Sequence, residues 1–134
     1  MNILVIDGQG GGLGRQLVTA LRTALPGADI VAVGTNSLAT GAMLKAGADH
    51  AATGENAVAV ACRKADVIVG PIGIVIADAL MGEISPAMAV AVGQSSAKRV
   101  LIPVNHCDNL IVGVAEMPVG ALVQQAVEKV HSIC

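Results

Sequence analysis

Two stretches of this 134-residue chain bring together residue types that could do chemistry. The first runs Val5-Ile6-Asp7-Gly8-Gln9-Gly10-Gly11-Gly12-Leu13-Gly14-Arg15-Gln16-Leu17. An apolar run stops at an acid, five glycines fall within positions 8–14, and helix-like periodicity follows. A strand, a glycine turn and a helix start aim backbone N–H groups and the positive end of a helix dipole at one point, which is how a phosphate is cradled. Arg15 adds a cation beside that point. The second stretch is Asn105-His106-Cys107-Asp108. A thiol next to an imidazole is the raw material of a nucleophile with its base, or of a metal ligand pair.

Spacing narrows the first stretch. The dinucleotide fingerprint needs glycines at relative positions 1, 3 and 6. Counting from Gly8 puts Leu13 at the sixth position, and counting from Gly10 puts Arg15 there. The Walker pattern fails too, because Gly14 is followed by Arg15 and Gln16 and not by Lys and Ser or Thr. Gly8, Gly12 and Gly14 do fit a Gly-x-x-x-Gly-x-Gly turn, which resembles that of the short-chain dehydrogenases. The resemblance covers this one loop and implies a mode of binding only. That family's chemistry uses a Tyr and a Lys four residues apart, and this chain has no Tyr.

Asp7 stands at the lip of the loop. A carboxylate there either braces the turn by accepting loop N–H groups or holds Mg²⁺ against a phosphate. Dinucleotide sites place an acid about 20 residues beyond the glycines to bind ribose hydroxyls. Here that region reads Gly34-Thr35-Asn36, with neither an acid nor an arginine for a 2′-phosphate. Thr35 and Asn36 remain as hydrogen-bonding groups for a sugar.

In the second stretch, neighbouring residues on a strand point to opposite faces, so His106 and Cys107 meet one ligand only after the chain has turned. A polar loop with a half-buried cysteine accounts for the same residues. Cys107 is the best candidate for a reactive side chain. Glu55 follows Gly54 at a helix start, where the dipole alone favours an acid. His50 and His131 are isolated, Cys62 lies on an apolar helix face, and Cys134 is terminal. Met81 and Met88 read as fillers of core or interface gaps.

These residues need elements to position them. Asn2–Asp7 reads as a buried strand. Leu13, Leu17, Leu21 and Leu25 mark a helix ending at Pro26-Gly27. A strand at 30–33 follows, then a helix with Ser37 as N-cap running to Ala46 and stopped by Gly47. Further strands are expected at 49–53, 67–69, 100–104 and 110–114. Helices are expected at 56–64, at 74–81, from Pro86 to a stop at Gly93, and at 119–134, where Val119, Leu122, Val123, Ala126, Val127 and Val130 share one face. Alternating helices and doubly apolar strands imply an α/β fold, with a doubly wound, mostly parallel sheet of about six strands in one Rossmann-like domain. Ligands of such sheets lie beyond the strands' carboxyl ends. Those ends add Gly70, Pro71, Ile72, Gly73 and Asn105 to a candidate set of Asp7, Gly8, Gln9, Gly10, Gly11, Gly12, Leu13, Gly14, Arg15, Gly34, Thr35 and Asn36.

Composition excludes several partners. Charged residues make up 13% of the chain, net charge is −2, and there is no Phe, Tyr or Trp. Nucleic-acid binding needs a basic footprint and usually aromatic platforms, so no nucleic acid is expected. The longest strongly apolar run, 67–77, is too short to span a bilayer, and no signal-peptide pattern precedes the first strand. With three cysteines, a reducing cytoplasm is the expected home. Apolar residues at 54% with so little charge predict a homo-oligomer that buries an apolar face.

The chain also resembles a family of short bacterial proteins defined only as a domain of unknown function. The resemblance rests on Val5-Ile6-Asp7-Gly8-Gln9-Gly10-Gly11-Gly12, Gly34-Thr35-Asn36, Met43-Leu44-Lys45-Ala46-Gly47-Ala48-Asp49, Thr53-Gly54-Glu55-Asn56, Gly70-Pro71-Ile72-Gly73, and Ile102-Pro103 followed by Asn105 and Cys107. It covers nearly the whole chain, implies a compact Rossmann-like domain, and supplies no catalytic residue. Three functions stand open at this point. One is a nucleotide-binding sensor or accessory subunit taking NAD(P) or an adenine nucleotide. Another is a small oligomeric oxidoreductase-like enzyme with Cys107 near its substrate. The third is an interaction protein without a ligand.

Overall fold

The computed structural model describes residues 1–104 and 108–133. Their elements are, in chain order, β1 (Asn2–Asp7), α1 (Gly12–Ala24), β2 (Asp29–Gly34), α2 (Ser37–Lys45), β3 (His50–Thr53), α3 (Glu55–Lys64), β4 (Val67–Pro71), a 3₁₀ turn (Ile72–Val75), α4 (Pro86–Gln94), β5 (Lys98–Ile102) and α5 (Val119–Ser132). The strands form one all-parallel sheet in the order β3-β2-β1-β4-β5.

Strand β1 shows why the sheet is covered on both sides. Its side chains alternate between faces. Ile3 and Val5 enter one core with Leu17 and Leu21 of α1 and Val123, Val127 and Val130 of α5. Leu4 and Ile6 enter a second core with Val58, Ile68, Ile84 and Val92, on the side of α3 and α4. Each fully buried Leu or Ile contributes roughly 1.5–3 kcal/mol, so β1 is fixed in register by both layers. The chain runs outward from β1 to β2 and β3, then returns to place β4 on the other side of β1. The carboxyl ends of β1 and β4 therefore flank the switch point where such sheets take ligands.

Two sequence expectations need correction. The sheet has five strands among the described residues, because 110–114 does not join it. A parallel neighbour for β5 needs a crossover of a dozen or more residues, and 103–109 is too short. Gly113 at φ 83° breaks the extended run as well. The helix expected over 74–81 is replaced by the 3₁₀ turn and a knot of turns in which Asp78, Leu80 and Met81 hold φ of 67°, 57° and 59°. Ile72, Ile74, Val75 and Ile76 are β-branched and resist a helix, and the left-handed residues carry the chain back over β1. Met81 is 92% exposed and lies outside the core, whereas Met88 is in the core. Smaller shifts occur at ends. Asn36, not Ser37, caps α2, its side-chain oxygen accepting from Ala39 N at 2.9 Å. Gly93 lies inside α4, and β5 begins at Lys98.

Candidate functional site

The loop after β1 is built around Asp7. The first helical positions of α1 have no side-chain cap, because Gly11 occupies the N-cap. Asp7 supplies the missing acceptor from the end of β1: one carboxylate oxygen accepts from Gly8 N at 2.8 Å and the other from Gly14 N at 2.6 Å. Asp7 is only 5% exposed. Burial pushes its carboxyl above the ordinary aspartate range, the two N–H bonds pull it back, and the charge of Glu83 adds to the rise.

The five loop glycines divide into two groups. Gly8, Gly11 and Gly14 are buried, while Gly10 and Gly12 are exposed. A Cβ on Gly8 would come within 2.7 Å of Thr35 Oγ1, one on Gly11 within 2.7 Å of Ala39 Cα, and one on Gly14 within 2.6 Å of Met43 Sδ. Gly11 also sits at φ 74°, where side chains are disfavoured. These three glycines let α2 and the β2 turn press against the loop. At Gly10 and Gly12 an added Cβ would meet nothing within 4 Å, and neither has a positive φ. Packing and conformation thus account for Gly8, Gly11 and Gly14, and not for the Gly8, Gly12 and Gly14 grouping that sequence spacing picks out. Among the described residues, the N–H groups of Gly10, Gly12 and Leu13 have no hydrogen-bond partner.

The outer side of the loop carries an acid that sequence reasoning missed. Oε1 of Glu83 accepts from Gln9 N at 2.9 Å, Thr35 Oγ1 at 2.6 Å and the Asn36 side-chain amide at 2.8 Å. The Asn36 amide also donates to Gln9 O at 3.0 Å. Glu83 thereby ties the β1 loop to the turn after β2. The Thr35 hydroxyl, then the Gln9 N–H, hold its carboxyl below the ordinary glutamate range, so it is ionised at neutral pH. No local spacing announces Glu83, which lies 74 positions from Gln9. The one usable sign was the lack of an acid at Thr35-Asn36.

Other sequence candidates fall elsewhere. Gly34 is pressed against Thr40. Gly70, Pro71 and Gly73 are buried and Ile72 is half-buried. A Cβ on Gly70 would strike Ile6 O at 2.5 Å, and one on Gly73 would lie 3.2 Å from Ala79. The carboxyl end of β4 is therefore filled by the chain itself. Arg15 lines the groove between α1 and α5 with Thr19 and Gln124. Glu55 accepts from the hydroxyl of Ser85, the N-cap of α4, at 2.6 Å, which joins two helix starts. His50 and His131 are exposed. Burial pushes the Cys62 thiol up to about 11, which leaves it unreactive at neutral pH. Asn105, His106, Cys107 and Cys134 lie outside the described residues. Among the described residues no three His, Cys, Asp or Glu side chains cluster as metal ligands, and no helix is long and apolar enough to cross a membrane. An apolar groove of about 370 Å³ runs beside α3, lined by Leu4, Val31, Val33, Ala57, Val60 and Ala61. Its polar lining, Asn2, Asp29, His50 and Lys64, is exposed.

With this geometry in place, comparison with known proteins assigns the family. Residues 2–134 match the family model described as Domain of unknown function (DUF3842). The chain belongs to this family. No curated protein matches it. A solved structure described as a dodecameric FMN-dependent Ubix-like decarboxylase from Escherichia coli O157:H7 is similar over 98% of this chain and 76% of its own, with 20% identity and a TM-score of 0.47. The cofactor and the assembly named there are properties of that enzyme.

Proposed function

We propose that this family member binds a nucleotide through its phosphate at the tip of the β1–α1 loop. The observation that carries the reading is the pair Gly10 and Gly12. Both are exposed, neither is required by packing or by φ, and with Leu13 they carry N–H groups that have no partner among the described residues, at the start of a 13-residue helix. Backbone left bare on the solvent side is what close approach of a phosphate needs. NAD(P) and adenine mononucleotides fit this chemistry. Mg²⁺ has weaker support, since both oxygens of buried Asp7 are engaged by backbone N–H groups. The groups gathered at this loop are hydrogen-bond donors suited to binding, which favours a sensor or accessory subunit over an enzyme.

A thermal-shift panel of NAD, NADP, ATP, ADP, AMP and inorganic phosphate tests the reading. A ligand at 100 times its Kd adds about 2.7 kcal/mol of stability. The double variant Gly10→Ala, Gly12→Ala is expected to fold as the wild type does and to lose that gain. Silence of the wild type across the panel would sink the proposal and leave the interaction-protein reading.

A second part of the proposal concerns assembly. Leu110 and Val112 are 90% and 98% exposed, in a segment whose Ile111 and Val114 border a groove with Val100, Leu101 and Ile102 of β5, the last strand of the sheet. Exposed apolar side chains and a strand at the edge of the sheet favour a homo-oligomer. Light scattering at several concentrations checks it; a monomer mass throughout excludes it.

A further inference from the structure

We infer that Glu83 is the sugar-recognising carboxylate of this site, so that the nucleotide bound carries a free ribose diol and no 2′-phosphate. The inference rests on the phosphate reading of the glycine loop. It deepens that reading by naming the ligand class.

The argument begins with a gap. Dinucleotide sites place an acid at the end of the second strand to accept the ribose hydroxyls, and here Gly34-Thr35-Asn36 contains none. The fold delivers one to that spot from the β4–α4 connection. Oε1 of Glu83 is 2.6 Å from Thr35 Oγ1 and 2.8 Å from the Asn36 amide nitrogen, directly after β2, and 2.9 Å from Gln9 N on the glycine loop. It also lies over Gly8, where a Cβ would come within 3.1 Å of it. The carboxylate therefore stands between the ends of β1 and β2, on the Gly8 and Gln9 side of the loop, while the unpartnered N–H groups lie further along it at Gly10, Gly12 and Leu13.

Its support is rigid. Leu80 and Ile84 on either side of Glu83 are 5% and 1% exposed. Asp78 N donates to Ile84 O at 2.7 Å and Ile84 N to Ala79 O at 3.1 Å, closing the segment on itself. Three L-residues hold left-handed backbone to make this turn, and strain of this kind concentrates at ligand sites. Three donors converge on Oε1, while Oε2 has no hydrogen-bond partner among the described residues. A carboxylate oxygen presented beside a sugar position accepts hydroxyl protons. The same negative charge repels a phosphate at the 2′ position, and discrimination by repulsion is a common source of specificity.

The test compares NAD with NADP by calorimetric titration of the wild type and of Glu83→Gln. The amide keeps an oxygen for Gln9, Thr35 and Asn36 and loses the charge. The wild type is expected to prefer NAD by roughly tenfold or more. In Glu83→Gln the ratio is expected to fall toward one, mainly through a gain for NADP. Equal wild-type affinities for NAD and NADP overturn the inference by themselves, even if the variant does not fold. An unchanged ratio in a folded Glu83→Gln also overturns it, leaving Glu83 as a brace and the phosphate reading intact. A wild type that binds neither nucleotide overturns this inference, and the phosphate reading then stands or falls on the ATP, ADP, AMP and phosphate arms of the thermal-shift panel.

Discussion

The glycine loop is held by a carboxylate on each side, and the two do different work. Asp7, on the inner side, is buried and divides its two oxygens between Gly8 and Gly14 N–H groups. Glu83, on the outer side, gathers three donors on one oxygen and leaves the other without a partner among the described residues. Their acidities move in opposite directions. Desolvation raises Asp7, and hydrogen bonds to the ionised form lower Glu83. The inner acid completes the helix start, and the outer one ties the loop to the turn after β2. The glycines follow the same division, with Gly8, Gly11 and Gly14 turned to the fold and Gly10 and Gly12 to solvent.

The division between inside and outside can be broken by substitution, and the largest effect is expected at Gly11. Gly11→Ala puts a side chain at φ 74° and 2.7 Å from Ala39 Cα, and overpacking with left-handed strain should cost about 3 kcal/mol. Urea denaturation measures it; a loss no larger than that of Gly10→Ala would erase the two-group reading of the glycines.

Asp7→Asn comes next. It leaves one buried N–H without an acceptor, at a cost of about 1–3 kcal/mol. The pH dependence carries a sign. Because Asp7 is raised in the fold, its contribution is fully present below the ordinary aspartate value and is lost as pH rises through the raised value. The gap between wild type and Asp7→Asn should therefore narrow as pH rises through that window, in denaturation curves taken at successive pH values.

Glu83→Gln is smaller, under about 1 kcal/mol at neutral pH, since the amide keeps an acceptor and solvent screens the half-exposed charge. Here the sign reverses. Glu83 is lowered in the fold, so its contribution is present above the ordinary glutamate value and is lost as pH falls through the lowered value. The variant should be flatter than the wild type on the acid side. The smallest effect belongs to Gly10→Ala and Gly12→Ala, within about 0.5 kcal/mol of wild type. A large loss at either would show that solvent-side glycines also serve the fold.

Much of the architecture was legible in the chain. The alternation of apolar runs with four-residue leucine spacing marked β1, α1 and the doubly wound sheet, because strands buried on both faces must be apolar throughout. Legibility failed where an element depends on a neighbour. The run at 110–114 has the composition of a strand but does not pair with the sheet, and Gly113 at φ 83° breaks its extension. The run at 74–81 was decided by β-branched residues and by a tertiary pull toward β1. Asp7 could be seen as a loop acid because its partners lie within seven residues of it. Glu83 could not, because its partners lie 47 to 74 positions away.

By itself the sequence determined that a strand, a glycine turn and a helix start would expose N–H groups at one point, since these follow from local periodicity and backbone freedom. It also determined that aromatic and strongly basic chemistry is absent. Only the tertiary structure decided which glycines serve packing and which stay bare, and which acid stands beside the turn after β2. Those choices depend on contacts among β1, β2, α2 and the β4–α4 connection, and such contacts exist only once the chain has closed on itself.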